Sequence, residues 1–202
     1  MNLPNKISLT RICMIPVFVL FFFLESVPFN YGIAAIIFAV AACTDFIDGH
    51  IARSRGLVTN LGKFLDPIAD KVLVATAMVL LMTMKDTLFS LLGDAQNAVY
   101  VATAVAVSII LARELIISAF RQIAATNGVI MAAEKLGKYK AALQDIAIFV
   151  LIFAAQVPSF AGATAGAIVA YIGFALFAVA TVLTVWSGIG YVVKHKHVIS
   201  ES

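Results

Sequence analysis

The sequence predicts an all-α integral membrane protein with six transmembrane helices, built as a single polytopic domain over residues 1–202. Two properties of its composition support this fold class. Hydrophobic residues make up 62% of the chain and charged residues only 12%, whereas a soluble domain carries about 25% charged residues. The mean hydropathy is +1.03, which is typical of an integral membrane protein.

The apolar residues form stretches close to the roughly 20 residues that a helix needs to cross a bilayer. They cover residues 8–24, 30–52, 65–84, 96–120, 141–157 and 163–193. The first has Lys6 and Arg11 near its start, like a secretion signal, but no small-residue cleavage site follows it. Because five more apolar stretches follow, we expect it to be a retained helix.

Short polar segments separate the apolar stretches, at 25–31, 54–60, 85–95, 127–136 and 158–162. No internal repeat or low-complexity tract interrupts them. Residues 1–9 are polar enough to lie along the membrane surface, and Pro4 suits the first turn of a short interfacial helix.

The basic residues predict the orientation of the chain. If the N-terminus is cytoplasmic, six spans place only Lys85 outside. The basic residues then on or near the cytoplasmic side are Lys6, Arg11, Arg53, Arg55, Lys63, Lys71, Arg113, Arg121, Lys135, Lys138, Lys140, Lys194 and Lys196. The positive-inside rule favours this orientation. Such a band suits anionic lipid headgroups and phosphorylated substrates, and no nucleic-acid-binding module accompanies it.

Two polar-residue types bear on the chemistry. Cys13 and Cys43 lie in predicted spans without metal-type spacing, so they predict neither a disulfide nor a zinc site. Aspartates, in contrast, gather at the end of the second predicted span and the start of the third: Asp45, Asp48, Asp66 and Asp70. Carboxylates beside hydrocarbon repel one another and are costly unless a cation or a solvated cavity receives them. We therefore expect these four to form the active site.

The spacing of the aspartate segment fits two facing helices. In a helix, Asp45, Asp48, Gly49 and Ala52 fall at i, i+3, i+4 and i+7, which is one stripe. The positions Gly62, Asp66 and Asp70 follow at i, i+4 and i+8 on the next predicted helix. A short turn between the two helices makes them antiparallel neighbours, so the four carboxylates can converge on one pocket.

An all-aspartate ligand set predicts a hard divalent cation, Mg²⁺ or Mn²⁺, rather than zinc. Four carboxylates are enough for two ions, and paired ions stabilise both the attacking and the leaving oxygen of phosphoryl displacement. The small residues Gly49, Ala52 and Gly62 leave room for a nucleotide or a diphosphate. The alternative is an interfacial charge network with Arg53, Lys63 and Lys71, which would not require paired aspartates with small residues between them.

The ordered string over residues 45–70, Asp-x2-Asp-Gly-x2-Ala-Arg-x8-Gly-x3-Asp-x3-Asp, resembles the signature of the CDP-alcohol phosphotransferases, which are integral membrane enzymes of phospholipid synthesis. Other segments are similar to the bacterial branch that makes phosphatidylglycerophosphate. They are residues 2–11, 65–71, 112–118, 135–140 and 186–188. The resemblance covers nearly the whole chain and implies the fold of that family.

The resemblance implies transfer of a phosphatidyl group from CDP-diacylglycerol to sn-glycerol 3-phosphate, with release of CMP. It implies that Asp45, Asp48, Asp66 and Asp70 bind two metal ions, and that Asp70 is also the general base for the acceptor hydroxyl. The residues implied in binding CDP-diacylglycerol are Gly49, Ala52, Arg53, Gly62, Asn5 and Ser8. Capping of the first helix explains Asn5 or Ser8 nearly as well.

The acceptor carries its own phosphate, so a second cationic site is expected. Arg113, Arg121 and Lys138 are our candidates, because arginine gives bidentate phosphate contacts and lysine a point charge. The alternative is anchoring at the membrane surface, with Glu114 balancing Arg121 and Asp145 balancing Lys138. We favour that role for Lys135, Lys140, Lys194 and Lys196.

Other readings of the aspartates are weaker. Inositol phosphate, serine or phosphatidylglycerol could replace glycerol 3-phosphate as acceptor in the same family. A membrane prenyltransferase needs a second aspartate-rich motif, and an ion-coupled transporter an inverted repeat; the sequence has neither. The family further implies a homodimer, in contact with membrane lipids in a bacterial plasma membrane, with the N-terminus and the active site cytoplasmic.

Overall fold

The protein is described by a computed structural model. It describes the backbone of residues 3–54, 60–126 and 135–194, and the side chains of residues 8–44, 68–122, 124 and 137–194. Over these residues the chain is helical and contains no β-strand. The elements are α1 (Leu3–Phe23), α2 (Asn30–Ser54), α3 (Asn60–Thr83), α4 (Gln96–Thr126), α5 (Lys135–Ala154), the single turn α6 (Pro158–Ala161) and α7 (Ala163–Lys194).

The long helices correspond one to one with the apolar stretches of the sequence, so the all-helical prediction is confirmed. Residues 3–9 do not form a separate surface helix but are continuous with α1. Pro4 permits this because the first helical turn has no partner for a backbone N–H, which proline lacks. A 3-10 helix at Phe89–Ala95 precedes α4, and Gly93, with φ of 55°, breaks the helical path between them.

Two segments among the described residues are long and apolar enough to cross a membrane. They are Phe89–Gln122 and Ala163–Lys194; Ser8–Phe23 and Asn30–Thr44 are shorter apolar helices. Large apolar side chains remain exposed along the outside of the bundle, including Trp186, Leu115 and Val182. This exposure on long apolar helices indicates association with a membrane.

The main apolar core joins the six long helices. Phe18, Phe38, Met78, Ile148 and Phe177 come from five helices and are at most 2% exposed. They belong to one continuous apolar cluster, in which Phe18 and Phe38 have ring centroids 5.9 Å apart.

Helices α5 and α7 form the most extensive helix contact, and a glycine permits their close approach. A Cβ added at Gly173 would lie 2.8 Å from Leu151 Cδ2 and 2.9 Å from Leu151 Cγ. Leu151 is fully buried, so it has little room to move away.

We expect Gly173→Ala to lower the free energy of unfolding by about 1 kcal/mol. Overpacking costs roughly 1–3 kcal/mol, which outweighs the gain in helix propensity of about 1 kcal/mol. Gly190→Ala is the matched control on the same helix, because a Cβ there meets nothing within 4 Å. Thermal unfolding in detergent should give a lower midpoint for Gly173→Ala only; equal midpoints would contradict the close contact.

Candidate active site

The four aspartates of the predicted pocket lie in two helices that contact each other. Asp45 and Asp48 lie in α2, and Asp66 and Asp70 lie in α3. The backbone therefore places them at the helical spacings that the sequence predicted. The side chains of Asp45, Asp48 and Asp66 lie outside the described ones, and so do those of Asn5, Gly49, Ala52, Arg53 and Gly62.

The described members of this region are Asp70 and three residues of the α1–α2 contact. Asp70 is half-buried. Arg11 is fully buried in α1, and its Nε donates to Thr44 Oγ1 at 3.3 Å, one position before Asp45. Ser8, a predicted CDP-diacylglycerol contact, is 3% exposed on the same helix. The start of α1 thus packs against the segment of α2 that leads into the aspartate string.

Next to Asp70, a cluster of charged side chains joins α3, α4, α5 and α7. We call Lys71, Arg113, Glu114, Lys140 and Ser187 the charge cluster. Glu114 Oε1 accepts a hydrogen bond from Arg113 Nη1 at 3.0 Å and a second from Lys140 Nζ. Arg113 Nη2 donates to Ser187 Oγ at 3.1 Å. One carboxylate therefore holds two cations that come from different helices.

The charge cluster reaches α3 through a hydroxyl. Lys71 Nζ hydrogen-bonds to Ser118 Oγ, and Ser118 Oγ donates to the backbone carbonyl of Glu114. Lys71 and Asp70 also interact electrostatically with Glu114 and Lys140 respectively. The cations of the cluster thus lie near the segment of α3 that carries Asp70.

The cluster has more positive than negative charge. Lys71, Arg113 and Lys140 supply three cations, against the carboxylate of Glu114 and that of Asp70 beside the cluster, which interacts with Lys140. Lys140 is 5% exposed, and Arg113 Nε is buried without a hydrogen bond to any described residue. Surplus cationic charge removed from water attracts an anion, and a phosphate is an anion that a guanidinium binds well.

The predicted acceptor trio does not come together in this cluster. Arg113 is in it, but Arg121 lies further along α4, where its Nε donates to the Tyr191 hydroxyl at 3.2 Å and its guanidinium lies 5.2 Å from the Tyr191 ring centroid. Lys138 is exposed. The pairing of Glu114 with Arg121 was wrong, because Glu114 binds Arg113 and Lys140 instead.

Lys140 is the functional candidate that sequence reasoning assigned to anchoring. Its position carried a usable signal: Lys140, Gln144 and Ile148 repeat at i, i+4 and i+8, and all three are buried in α5. A lysine on the buried stripe of a helix needs a partner. Glu114 of α4 is that partner.

Other ligand types are less well supported. No three His, Cys, Asp or Glu side chains come together within 8–44, 68–122, 124 and 137–194. Cys13 and Cys43 are free thiols, exposed on the bundle surface rather than packed inside it. The aspartate string itself falls mostly on undescribed side chains, so it stays the candidate metal site on the strength of its all-oxygen donor set.

Comparison with known proteins identifies the family. The sequence model for CDP-alcohol phosphatidyltransferases matches residues 1–186. The chain belongs to this family. The resemblance of the aspartate string is thereby confirmed, and the α2–α3 segment that carries it, with the charge cluster beside it, is the candidate active site of a family member.

The chain is similar to bacterial members of the family over most of its length. A relative from Escherichia coli (strain K12) is 40% identical over 192 residues, covering 94% of this chain and 92% of the relative. A relative from Shigella flexneri has the same identity and coverage. A relative from Bacillus subtilis (strain 168) is 39% identical over 162 residues, covering 75% of this chain and 76% of the relative. Each is named CDP-diacylglycerol--glycerol-3-phosphate 3-phosphatidyltransferase.

Proposed function

We propose that this protein transfers the phosphatidyl group of CDP-diacylglycerol to sn-glycerol 3-phosphate, which gives phosphatidylglycerophosphate and CMP. The observation that carries the proposal is the 40% identity to relatives of that name over 94% of the chain. The surplus of cations beside Asp70 supports it, because the acceptor brings a phosphate of its own. The protein is thus an enzyme of bacterial phospholipid synthesis.

Asp45, Asp48, Asp66 and Asp70 would hold divalent metal, which members of this family generally use. We propose two Mg²⁺ or Mn²⁺ ions. The donor set fits them, because carboxylate oxygens at helical spacing on two contacting helices are hard ligands. When bound, such ions neutralise the charge of a diphosphate and of its departing phosphate.

The protein residues then take separate tasks in an in-line displacement. Asp70 accepts the proton of the acceptor hydroxyl, whose oxygen bonds to the phosphorus of the phosphatidyl group. The bond from that phosphorus to the oxygen of CMP breaks, and CMP leaves. Gly49, Ala52, Arg53, Gly62, Asn5 and Ser8 contact CDP-diacylglycerol, with the arginine at its diphosphate.

The acceptor phosphate binds to two cations of the charge cluster, Arg113 and Lys140. Arg113 is the main contact, since its guanidinium has donors beyond those given to Glu114 and Ser187. Lys140 joins it, because Glu114 holds both cations at one carboxylate. Arg121 and Lys138 are exposed, and we propose that they attract the acceptor from solvent.

We also propose the membrane arrangement. Residues 1–202 form one domain whose six long helices all cross the bilayer of a bacterial plasma membrane, with the N-terminus and the active site on the cytoplasmic side. The distribution of basic residues supports this orientation. Contacts between Ala- and Gly-containing faces of α3 and α4 would form a homodimer.

The acceptor assay tests the function. Purified protein in detergent with Mg²⁺ and CDP-diacylglycerol should release CMP only when sn-glycerol 3-phosphate is added, and EDTA should stop the release. Inositol phosphate, serine and phosphatidylglycerol are the comparison acceptors. Release driven by one of these, and not by glycerol 3-phosphate, would overturn the assignment of the acceptor.

A further inference from the structure

The segment Trp186–Gly188 of α7 lies beside Arg113, although it has no part in the function described so far. Ser187 is 6% exposed and accepts a hydrogen bond from Arg113 Nη2 at 3.1 Å. The Ser187 hydroxyl donates its own proton to the carbonyl of Thr184 at 3.1 Å. The Ser187 oxygen therefore acts as the acceptor in its hydrogen bond with the Arg113 guanidinium. Trp186 is 74% exposed and does not share this contact.

Gly188 allows the Arg113 side chain to lie directly against the backbone of α7. A Cβ at Gly188 would be 3.0 Å from Arg113 Cγ and 3.1 Å from Arg113 Nε. Contacts that short are rare, so an added methyl group would displace the arginine by a few tenths of an ångström or more. At Gly190 the same Cβ would meet nothing within 4 Å. The close approach is thus specific to Gly188.

The Arg113 guanidinium is held from two sides. Glu114 accepts a hydrogen bond from Nη1 and Ser187 accepts one from Nη2. Gly188 determines how closely the aliphatic part of the Arg113 side chain approaches α7. These contacts fix the plane of the guanidinium group and therefore the directions of its remaining N–H groups. Bidentate phosphate recognition depends on that plane.

We infer that Ser187 and Gly188 are positioning residues for Arg113, and that through it they set the affinity for the phosphate of the acceptor. The inference rests on the proposed function, in which Arg113 contacts that phosphate. Neither residue touches the substrate itself. Their effect should therefore appear in the KM for glycerol 3-phosphate and not in the binding of CDP-diacylglycerol.

The test is Gly188→Ala in the full-length protein in detergent with Mg²⁺. Loss of one well-aligned charged hydrogen bond should raise the KM for glycerol 3-phosphate about tenfold. The kcat and the KM for CDP-diacylglycerol should stay within about twofold of wild type. Ser187→Ala should raise the same KM about threefold, and Gly190→Ala, the control on the same helix, should match wild type.

Combination with Arg113→Ala separates positioning from other effects. Arg113→Ala should itself raise the KM for glycerol 3-phosphate, and adding Gly188→Ala should then raise it no further. If Arg113→Ala leaves this KM unchanged, the proposed acceptor contact is wrong and the inference falls with it. If Arg113→Ala raises the KM and Gly188→Ala does not, only the inference is wrong. An equal effect of Gly188→Ala with and without Arg113 would also overturn it, as would a joint loss of kcat and both affinities.

Discussion

Asp70→Asn should reduce CMP release by at least about a hundredfold while CDP-diacylglycerol stays bound. An amide cannot accept the proton of the acceptor hydroxyl, and general base catalysis contributes roughly 10²–10⁴ in rate. Loss of one anionic ligand would lower the turnover further. The measurement is the single-turnover rate with saturating glycerol 3-phosphate, beside a direct binding measurement for CDP-diacylglycerol.

Asp94→Asn is the control for this change, because Asp94 is an exposed aspartate in the 3-10 helix Phe89–Ala95, away from the candidate site. It should behave as wild type. Turnover of Asp70→Asn within about twofold of wild type would remove Asp70 from the mechanism. Loss of CDP-diacylglycerol binding along with turnover would contradict this prediction and would leave only the role of Asp70 as a metal or substrate ligand supported.

Glu114→Gln is the change with the largest expected effect on stability. It removes the carboxylate that pairs with both Arg113 and Lys140, and it leaves Lys140, only 5% exposed, without its salt-bridge partner. Breaking a buried ion pair from one side costs about 3 kcal/mol or more. For a chain of this size that lowers the unfolding midpoint by roughly 6–12 °C.

Two further variants make this test specific. Glu25→Gln removes an exposed carboxylate from the α1–α2 loop and should leave the midpoint unchanged. Glu114→Gln combined with Lys140→Met should recover part of the loss, because the uncompensated ammonium is gone and an apolar chain fills its place. A double variant no more stable than Glu114→Gln would show that the pair does not hold α4 and α5 together.

The sequence predicted the helices well because each apolar stretch is long and bounded by polar segments. Helices α2, α4 and α7 begin at residues 30, 96 and 163, where the apolar stretches also begin. Of the short helix expected at residues 1–9, the described residues 3–9 are continuous with α1, since Pro4 at its first turn does not interrupt helical bonding. Local pattern was sufficient for these features.

Partners between helices were harder to predict. The alternative in which Glu114 balances Arg121 on its own helix is not observed, because Glu114 pairs with Arg113 and with Lys140 of α5. The number and order of basic residues predict a cytoplasmic band, but they do not indicate which of these residues lie on a buried helix face. The importance of Gly188 could not be read from the sequence, because the contact with Arg113 joins residues 75 positions apart and depends on how α4 and α7 pack.

The central claim is that the glycerol phosphate becomes part of a lipid as CMP departs. Carbon-13-labelled sn-glycerol 3-phosphate and CDP-diacylglycerol should be incubated with the purified protein, with the lipids analysed by mass spectrometry and CMP quantified in parallel. We expect one labelled phosphatidylglycerophosphate for each CMP released. CMP release without label in any lipid would contradict the account.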